Sequence, residues 1–400
     1  MGWRETGMMD ERLKFIGDCL EEADTMAGLC VSYGISRKTG YKWLSRYRAY
    51  GAAGLHDLAR APLVHGRATA SLLVEQIVAE KEAHPLWGPK KLLARLRRRA
   101  PVEAWPAAST AGEILKRHGL VKGRGRARWR ATGNGPFPLP QLPNEVWSAD
   151  HKGWFRTRDR QRCEPLTVMD ATSRYMLGLE AVTSTAEAEA WPVFERLFNE
   201  FGLPERLRSD NGSPFASAGA AGLTPLSMRF VKLGIGLERI TPGKPQQNGQ
   251  HERFHLTMLP LAQTPQACQA EQQQAFDRFK EDYNSERPHE ALGQTPPAEH
   301  YARSPRALPC RPPEPHYPAE ACVRRVRHNG EIKWNGGFVY ISQTLAGEPV
   351  ALEQADSGEW HVRFYAHPIG VIDKRQMKLR RRSALPLKEQ AAAAEKQQEV

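Results

Sequence analysis

Between Val146 and Ala262 the sequence changes its periodicity repeatedly, reading strand, strand, strand, helix, strand, helix, strand, helix. Apolar runs such as Leu-Thr-Val-Met and Met-Leu-Gly-Leu have strand length, whereas 184–202 carries apolar residues at helical spacing despite Pro192. The succession is compatible with a mixed sheet flanked by helices, although alternation alone does not choose among layered α/β folds. Asp-Ala-Thr-Ser-Arg at 170–174 joins two apolar strands into an antiparallel hairpin, so Asp170 reads as a structural turn residue.

Three other carboxylates stand where the periodicity breaks. Asp150 interrupts a strand-like run that opens with Val146 and Trp147. Asp210 ends a short strand just before Asn211-Gly212. Glu252 falls in the first turn of a helix with Phe254, Met258 and Leu259 on its inner side. That helix follows a loop that Pro242, Pro245 and the Asn248-Gly249 pair keep out of regular structure. Fifty-nine residues separate Asp150 from Asp210 and 41 separate Asp210 from Glu252, so the three can meet only through a tertiary fold. Carboxylates converging at strand ends suit hard, oxygen-seeking cations such as magnesium. Two such ions roughly 3.5–4 Å apart can activate an attacking oxygen and stabilise a leaving one in phosphodiester chemistry. Each residue also has a plainer reading. Asp210 before Asn-Gly is a turn signal, and Glu252 in a first helical turn favours the helix dipole. Asp150, between Trp147 and Trp154, needs a partner if it is buried.

With their surroundings these residues resemble the DDE catalytic core of retroviral-type integrases and bacterial insertion-sequence transposases, a ribonuclease-H-like fold. The resemblance covers Trp-Ser-Ala-Asp at 147–150, Ser-Asp-Asn-Gly-Ser-Pro-Phe at 209–215, and Pro245, Asn248-Gly249 and Glu252-Arg253. Tyr-Asn-Ser-Glu-Arg-Pro-His-Glu-Ala-Leu-Gly at 283–293 and Thr-Pro-Pro-Ala at 295–298 fit the single-reading-frame insertion-sequence branch. The resemblance implies a catalytic, metal-binding triad of Asp150, Asp210 and Glu252 holding Mg2+ (or Mn2+), two ions per site. It further implies a transposase that cleaves transposon ends and transfers the 3′ hydroxyl into target DNA. Its substrates would be double-stranded terminal repeats and target DNA, and it would act as a homo-oligomer on DNA. The interval of 41 residues before Glu252 is longer than the retroviral pattern, with 216–222 as the added loop, and the His-His-Cys-Cys zinc module is missing. The rival readings are a nuclease that cuts without joining and a catalytically spent, transposase-derived DNA-binding regulator.

The rest of the chain is consistent with nucleic-acid partners. Fifty-seven basic against 45 acidic residues give a net charge of +12, which makes polyanions plausible ligands. Residues 1–62 read as a helix-turn-helix domain, with a turn at Tyr33/Gly34 and a second helix capped by Ser36. Arg37, Lys38, Tyr41 and Lys42 would face DNA, while Ile35, Trp43, Leu44 and Tyr47 pack inward; an ordinary helical hairpin with a solvated basic face is the plainer alternative. Gly40 is awkward there, because glycine inside a helix is unfavourable by about 1 kcal/mol relative to alanine. Residues 63–122 read as a second all-α, helix-turn-helix or winged-helix-like domain, with Lys90 and Lys91 toward DNA and Ser109 or Thr110 capping its last helix.

A basic Gly/Pro linker follows at 123–143, whose Arg126, Arg128 and Arg130 could track a phosphate backbone. The α/β core with a helical extension spans 144–305, and Lys244 and Arg253 are placed to meet phosphates near its site. Residues 320–382 read as a small β-barrel of about five strands, with Arg325, other basic residues and Trp334 suited to DNA; 383–400 reads as a disordered tail. No run of about 18 apolar residues could span a membrane. Arg4, Glu5, Asp10 and Glu11 are unlike a secretory signal, so a cytoplasmic location is expected.

Overall fold

The computed structural model describes residues 7–58, 68–121, 137, 139–217, 219, 221–241, 249–373 and 375–380. The chain divides into two compact units, 1–69 and 70–400.

In the first unit α1 (Met8–Leu20), α2 (Met26–Ser32) and α3 (Arg37–Tyr50) enclose Phe15, Ile16, Leu29, Cys30, Trp43, Leu44 and Leu55. Gly34, at φ +61°, makes the turn between α2 and α3, and the Ser36 hydroxyl accepts the Thr39 N–H at 3.2 Å to cap α3. The packing accounts for the awkward Gly40. A Cβ there would lie 2.6 Å from Cys30 Sγ, 3.0 Å from Phe15 Cζ and 3.1 Å from Met26 Sδ, so glycine lets α3 approach α1 and α2 closely. Gly40→Ala should therefore forfeit its propensity gain and destabilise the unit by about 1–3 kcal/mol through overpacking. Denaturant unfolding of the two proteins checks this, and a stabilised variant would contradict the close packing.

The second unit begins with α4 (Ser71–Ala83), α5 (Pro89–Arg99) and α6 (Ala108–Arg117) around Ile77, Trp87, Leu92, Leu93, Leu96, Ile114 and Leu115. Pro89 occupies the first helical turn, where its missing N–H costs nothing. The N-cap of α6 is Ala107; Ser109 and Thr110, expected as caps, lie inside the helix.

The α/β core contains β1 (Val146–His151), β2 (Phe155–Arg156), β3 (Arg162–Asp170), β4 (Met176–Val182), α7 (Glu187–Phe201), β5 (Arg206–Ser209), α8 (Pro225–Lys232) and β6 (Gly236–Arg239). Two helices follow, α9 (Gly249–Gln263) and α10 (Gln269–Ser285). The sheet runs β4-β3-β1-β5-β6, with the two-residue β2 also on β3. β1, β3 and β4 pair antiparallel, whereas β5 and β6 run parallel to β1. One apolar cluster joins Trp147, Leu166 and Val168 to Phe194, Phe198 and Phe230 of α7 and α8. A second joins Met169, Met176 and Leu179 to Phe254, Met258, Phe276 and Tyr283 of α9 and α10, so helices cover both faces. Asp170 is structural, as its turn position suggests. It is fully buried and accepts the Asn144 N–H at 2.8 Å and the Ser173 N–H and hydroxyl at 2.7 and 2.6 Å.

The C-terminal part is β-rich, but among the described residues no sheet closes into the expected barrel. β7 (Cys322–Arg325), β10 (Pro349–Gln354), β11 (Trp360–Phe364), β12 (His367–Asp373) and β13 (Lys378–Arg380) form an open antiparallel sheet in the order β13-β12-β11-β10-β7. β8 (Glu331–Trp334) and β9 (Gly337–Tyr340) form a separate hairpin. The hairpin packs against the sheet through Ile332, Val339, Val350, Leu352, Val362 and Phe364, so side-chain packing rather than strand pairing joins the two pieces. Trp334, expected to suit DNA, is instead 5% exposed in this core. Among the described residues no helix is long and apolar enough to cross a membrane.

Candidate active site

Asp150 and Asp210 are brought together by strand register. β1 and β5 pair in parallel with Val146 opposite Arg206 and Ser148 opposite Arg208. Continuing that register by two residues sets Asp150 abreast of Asp210, which directly follows β5. Neighbouring strands lie about 4.8 Å apart, so two carboxyl groups at these positions are close enough to feel each other. Asp210 also has the turn role its Asn-Gly sequel suggests. Its Oδ1 accepts the Gly212 N–H at 3.0 Å, and a Cβ on Gly212 would come 2.9 Å from Oδ2. Asn211 Nδ2 donates to the Ile240 carbonyl at 2.6 Å, tying this turn to the end of β6. Beneath it, buried Glu238 of β6 pairs with Arg208 at 2.8 Å and Arg206 at 3.4 Å.

The third carboxylate arrives with α9, which two histidines fasten to the sheet. His251, completely buried, has Nδ1 3.0 Å from Ser148 Oγ and Nε2 2.5 Å from Thr167 Oγ1. Thr167 lies opposite Asp150 in the β1–β3 ladder and donates its hydroxyl to the Asp150 carbonyl at 2.8 Å. One turn later, His255 Nδ1 is 4.0 Å from Asp150 Oδ2. Residues 251, 254, 255 and 258 thus form the inner stripe of α9, and Glu252 stands at its edge, exposed and in the first turn.

The electrostatics record the crowding. Burial pushes the Asp150 carboxyl up to about 7, the charge of Asp210 adds to this, and Glu252 adds less; a backbone N–H of His151 and the Lys152 ammonium oppose it. The nearby imidazoles are not counter-ions. Burial and then Lys152 hold His255 down to about 4, and burial holds His251 well below its ordinary value. Carboxylates crowded in this way suit a hard cation. They are neighbours rather than a closed cage, because among the described residues no three His, Cys, Asp or Glu side chains stand in an arrangement that could hold a metal ion.

The basic residues singled out in the sequence are distributed differently. Arg37, Lys38, Tyr41 and Lys42 are all exposed along one side of α3, with the Lys42 ammonium 4.6 Å from the centroid of the Trp43 ring. Lys90 pairs with Glu290 at 3.1 Å, and Lys91 is pulled down to about 8 by burial and then by Arg287 and Arg253. Arg95 and Arg98 of the same helix reach Glu286 at 2.9 Å and Glu299 at 2.5 Å, so α5 spends much of its charge docking on the stretch after α10. Arg253 is exposed beside Glu252. Arg325 is exposed on β7 and donates to the Gly347 carbonyl at 2.7 Å. Arg126, Arg128, Arg130 and Lys244 lie outside the described residues.

Residues 140–245 and 233–297 match family models described as "Integrase core domain". Residues 11–62 match a "Helix-turn-helix domain" and 39–115 a "Homeodomain-like domain". The chain is 28% identical over 167 residues to the insertion element IS407 uncharacterized 31.7 kDa protein of Burkholderia multivorans, a match covering 41% of this chain and 58% of the relative. The chain thus carries an integrase core match and is similar to proteins of bacterial insertion elements. The insertion element IS476 uncharacterized 39.2 kDa protein of Xanthomonas euvesicatoria is 26% identical over 160 residues, covering 40% of this chain and 44% of that relative. The chain therefore spans 58% and 44% of these two relatives' lengths. Among solved structures, a simian T-cell lymphotropic virus intasome in complex with PP2A regulatory subunit B56 gamma aligns at 15% identity, covering 77% of this chain and 99% of the other, with a TM-score of 0.35.

Sequence reading missed the pins of α9: His251, His255, Ser148 and Thr167. A signal was present in His-Glu-Arg-Phe-His, which sets two histidines one helical turn apart on either side of Glu252.

Proposed function

We propose that Asp150, Asp210 and Glu252 are the metal-binding catalytic carboxylates of a DNA transposase that nicks element ends and joins the freed 3′ hydroxyl to target DNA. The observation that carries this reading is the parallel register of β1 and β5, which sets two aspartates side by side at strand ends beneath the first turn of α9. Magnesium or manganese, two ions per site, would supply Lewis-acid stabilisation of the attacking and leaving oxygens. Asp150, within β1, and Asp210, directly after β5, fix the floor of the site. Glu252 brings a long, exposed side chain whose backbone is held by His251, so it can swing inward without moving the helix. Thr167, through the Asp150 carbonyl, and Ser148, through His251, are positioning residues. Lys152 and Arg253 lie where a phosphate backbone would approach. The exposed basic side of α3 suits recognition of terminal repeats in the major groove, and assembly of two chains would bring two ends together.

Incubating the full chain with Mg2+, labelled duplexes from the DNA flanking its gene and a target plasmid tests this reading. Nicked ends and end–plasmid joints are expected, both lost with EDTA. Nicking without joints would favour a nuclease, and binding without either would favour a catalytically spent regulator.

A further inference from the structure

We propose that Trp154 is a stacking platform for an unpaired DNA base beside the carboxylate cluster, an inference that rests on the core being a DNA-processing site. Trp154 lies four residues beyond Asp150, between the end of β1 and the start of β2, and is 55% exposed. A single exposed apolar side chain is ordinary on a protein surface; this one is set apart by its place beside the carboxylates and by the two cations against its ring. Two guanidinium groups frame it, with the Arg162 carbon 5.3 Å and the Arg156 carbon 5.7 Å from the ring centroid.

Both cations are themselves held in place. Arg156 Nη1 donates to the Arg160 carbonyl at 2.7 Å, and Arg162 Nε donates to Oε2 of the buried Glu164 at 3.1 Å. The frame is also tied to the site. Arg156 and Arg162 face each other across the β2–β3 ladder, and β3 continues to Thr167, opposite Asp150. Lys152, two residues before the indole, is close enough for its charge to act on the Asp150 carboxyl.

An exposed aromatic ring with fixed cations packed against it matches a base with its flanking phosphates, a combination used wherever single strands are gripped without sequence preference. Bases stacked within an intact duplex offer no such face, so the occupant is a base displaced from pairing, whether at the frayed end of the element or at a distorted target step. The competing account is that the indole merely covers the stems of the two arginines.

Three DNAs in EDTA, where no cutting occurs, separate these accounts: a blunt duplex, the same duplex with a 3′ tail carrying 2-aminopurine, and a duplex with one internal unpaired 2-aminopurine. The wild-type full chain should bind at least one unpaired-base DNA about 10-fold tighter than the blunt duplex and quench the probe. The tailed duplex reports an end base and the internal one a target base. Trp154→Ala should lose both preference and quench, Trp154→Phe should keep most of each, and all three proteins should bind blunt DNA alike. The proposal is overturned if Trp154→Ala keeps the preference and the quench, or if wild type shows neither. Because no metal is present, failure of the cutting assay leaves this result intact, and the two readings fail separately.

Discussion

Asp150→Asn and Glu252→Gln should each reduce Mg2+-dependent nicking and joining by at least about 10^3-fold, on the order of 4 kcal/mol of transition-state stabilisation, while duplex binding should stay within a few-fold of wild type. The size follows from the chemistry proposed. An amide keeps the shape of the carboxyl but gives up its charge and one strong oxygen donor, which a hard cation tolerates poorly. Binding is spared because it depends on the basic faces, of which α3 belongs to a different compact unit from the carboxylates. Asp170→Asn serves as the contrast. It should lower stability, since Asp170 accepts three hydrogen bonds from Asn144 and Ser173, yet any folded protein should retain nicking. Gel assays at matched folded concentration check all three. Wild-type rates for Asp150→Asn would remove Asp150 from the chemistry.

The same substitution acts in the opposite direction on metal-free stability. The folded Asp150 carboxyl lies at about 7 against an ordinary 3.8. A raised carboxyl favours the fold fully below about pH 4, loses that contribution as pH rises toward 7, and changes little above. At about 1.4 kcal/mol per pH unit the loss has a ceiling of about 4 kcal/mol, reduced by the residual solvent contact of the group. In EDTA, Asp150→Asn should therefore match wild type near pH 4 and exceed it by a few kcal/mol at pH 8. Adding Mg2+ at pH 8 should stabilise wild type and leave the variant unmoved. Urea unfolding across pH 4–8 reads both effects. A difference that does not grow with pH would mean that Asp150 is neither crowded nor desolvated as described.

Much of this arrangement was legible in the sequence. The strand and helix succession of the core follows from periodicity, because each element is long enough to show it. β2 is only two residues long and has no periodicity to read. Gly40 looked like a flaw because helix propensity is local, whereas its reason, contact with Cys30 and Phe15, is tertiary. The expected barrel overreached for a related reason. Alternation and Asn-Gly turns mark strands and hairpins, but whether β8 and β9 join the sheet edge to edge or only pack on it depends on pairings that no local pattern encodes. The carboxylates stood out by where they interrupt apolar runs. Their supports, His251 and Thr167, look like ordinary helix and strand residues until α9 is laid across β1 and β3. Lys90 and Lys91 of α5 read as facing DNA. The docking role of that helix is invisible without Glu286, Glu290 and Glu299, which lie about 200 residues downstream.

The proposed metal-bound enzyme has a cation site shared between Asp150 and Asp210 at the ends of β1 and β5. Crystals of the full chain soaked in Mn2+ and measured at a wavelength where manganese scatters anomalously test it directly. The predicted result is a peak about 2.1 Å from carboxyl oxygens of both Asp150 and Asp210, with the Glu252 side chain turned toward it. An empty map between the two aspartates in crystals that bind manganese elsewhere would contradict it.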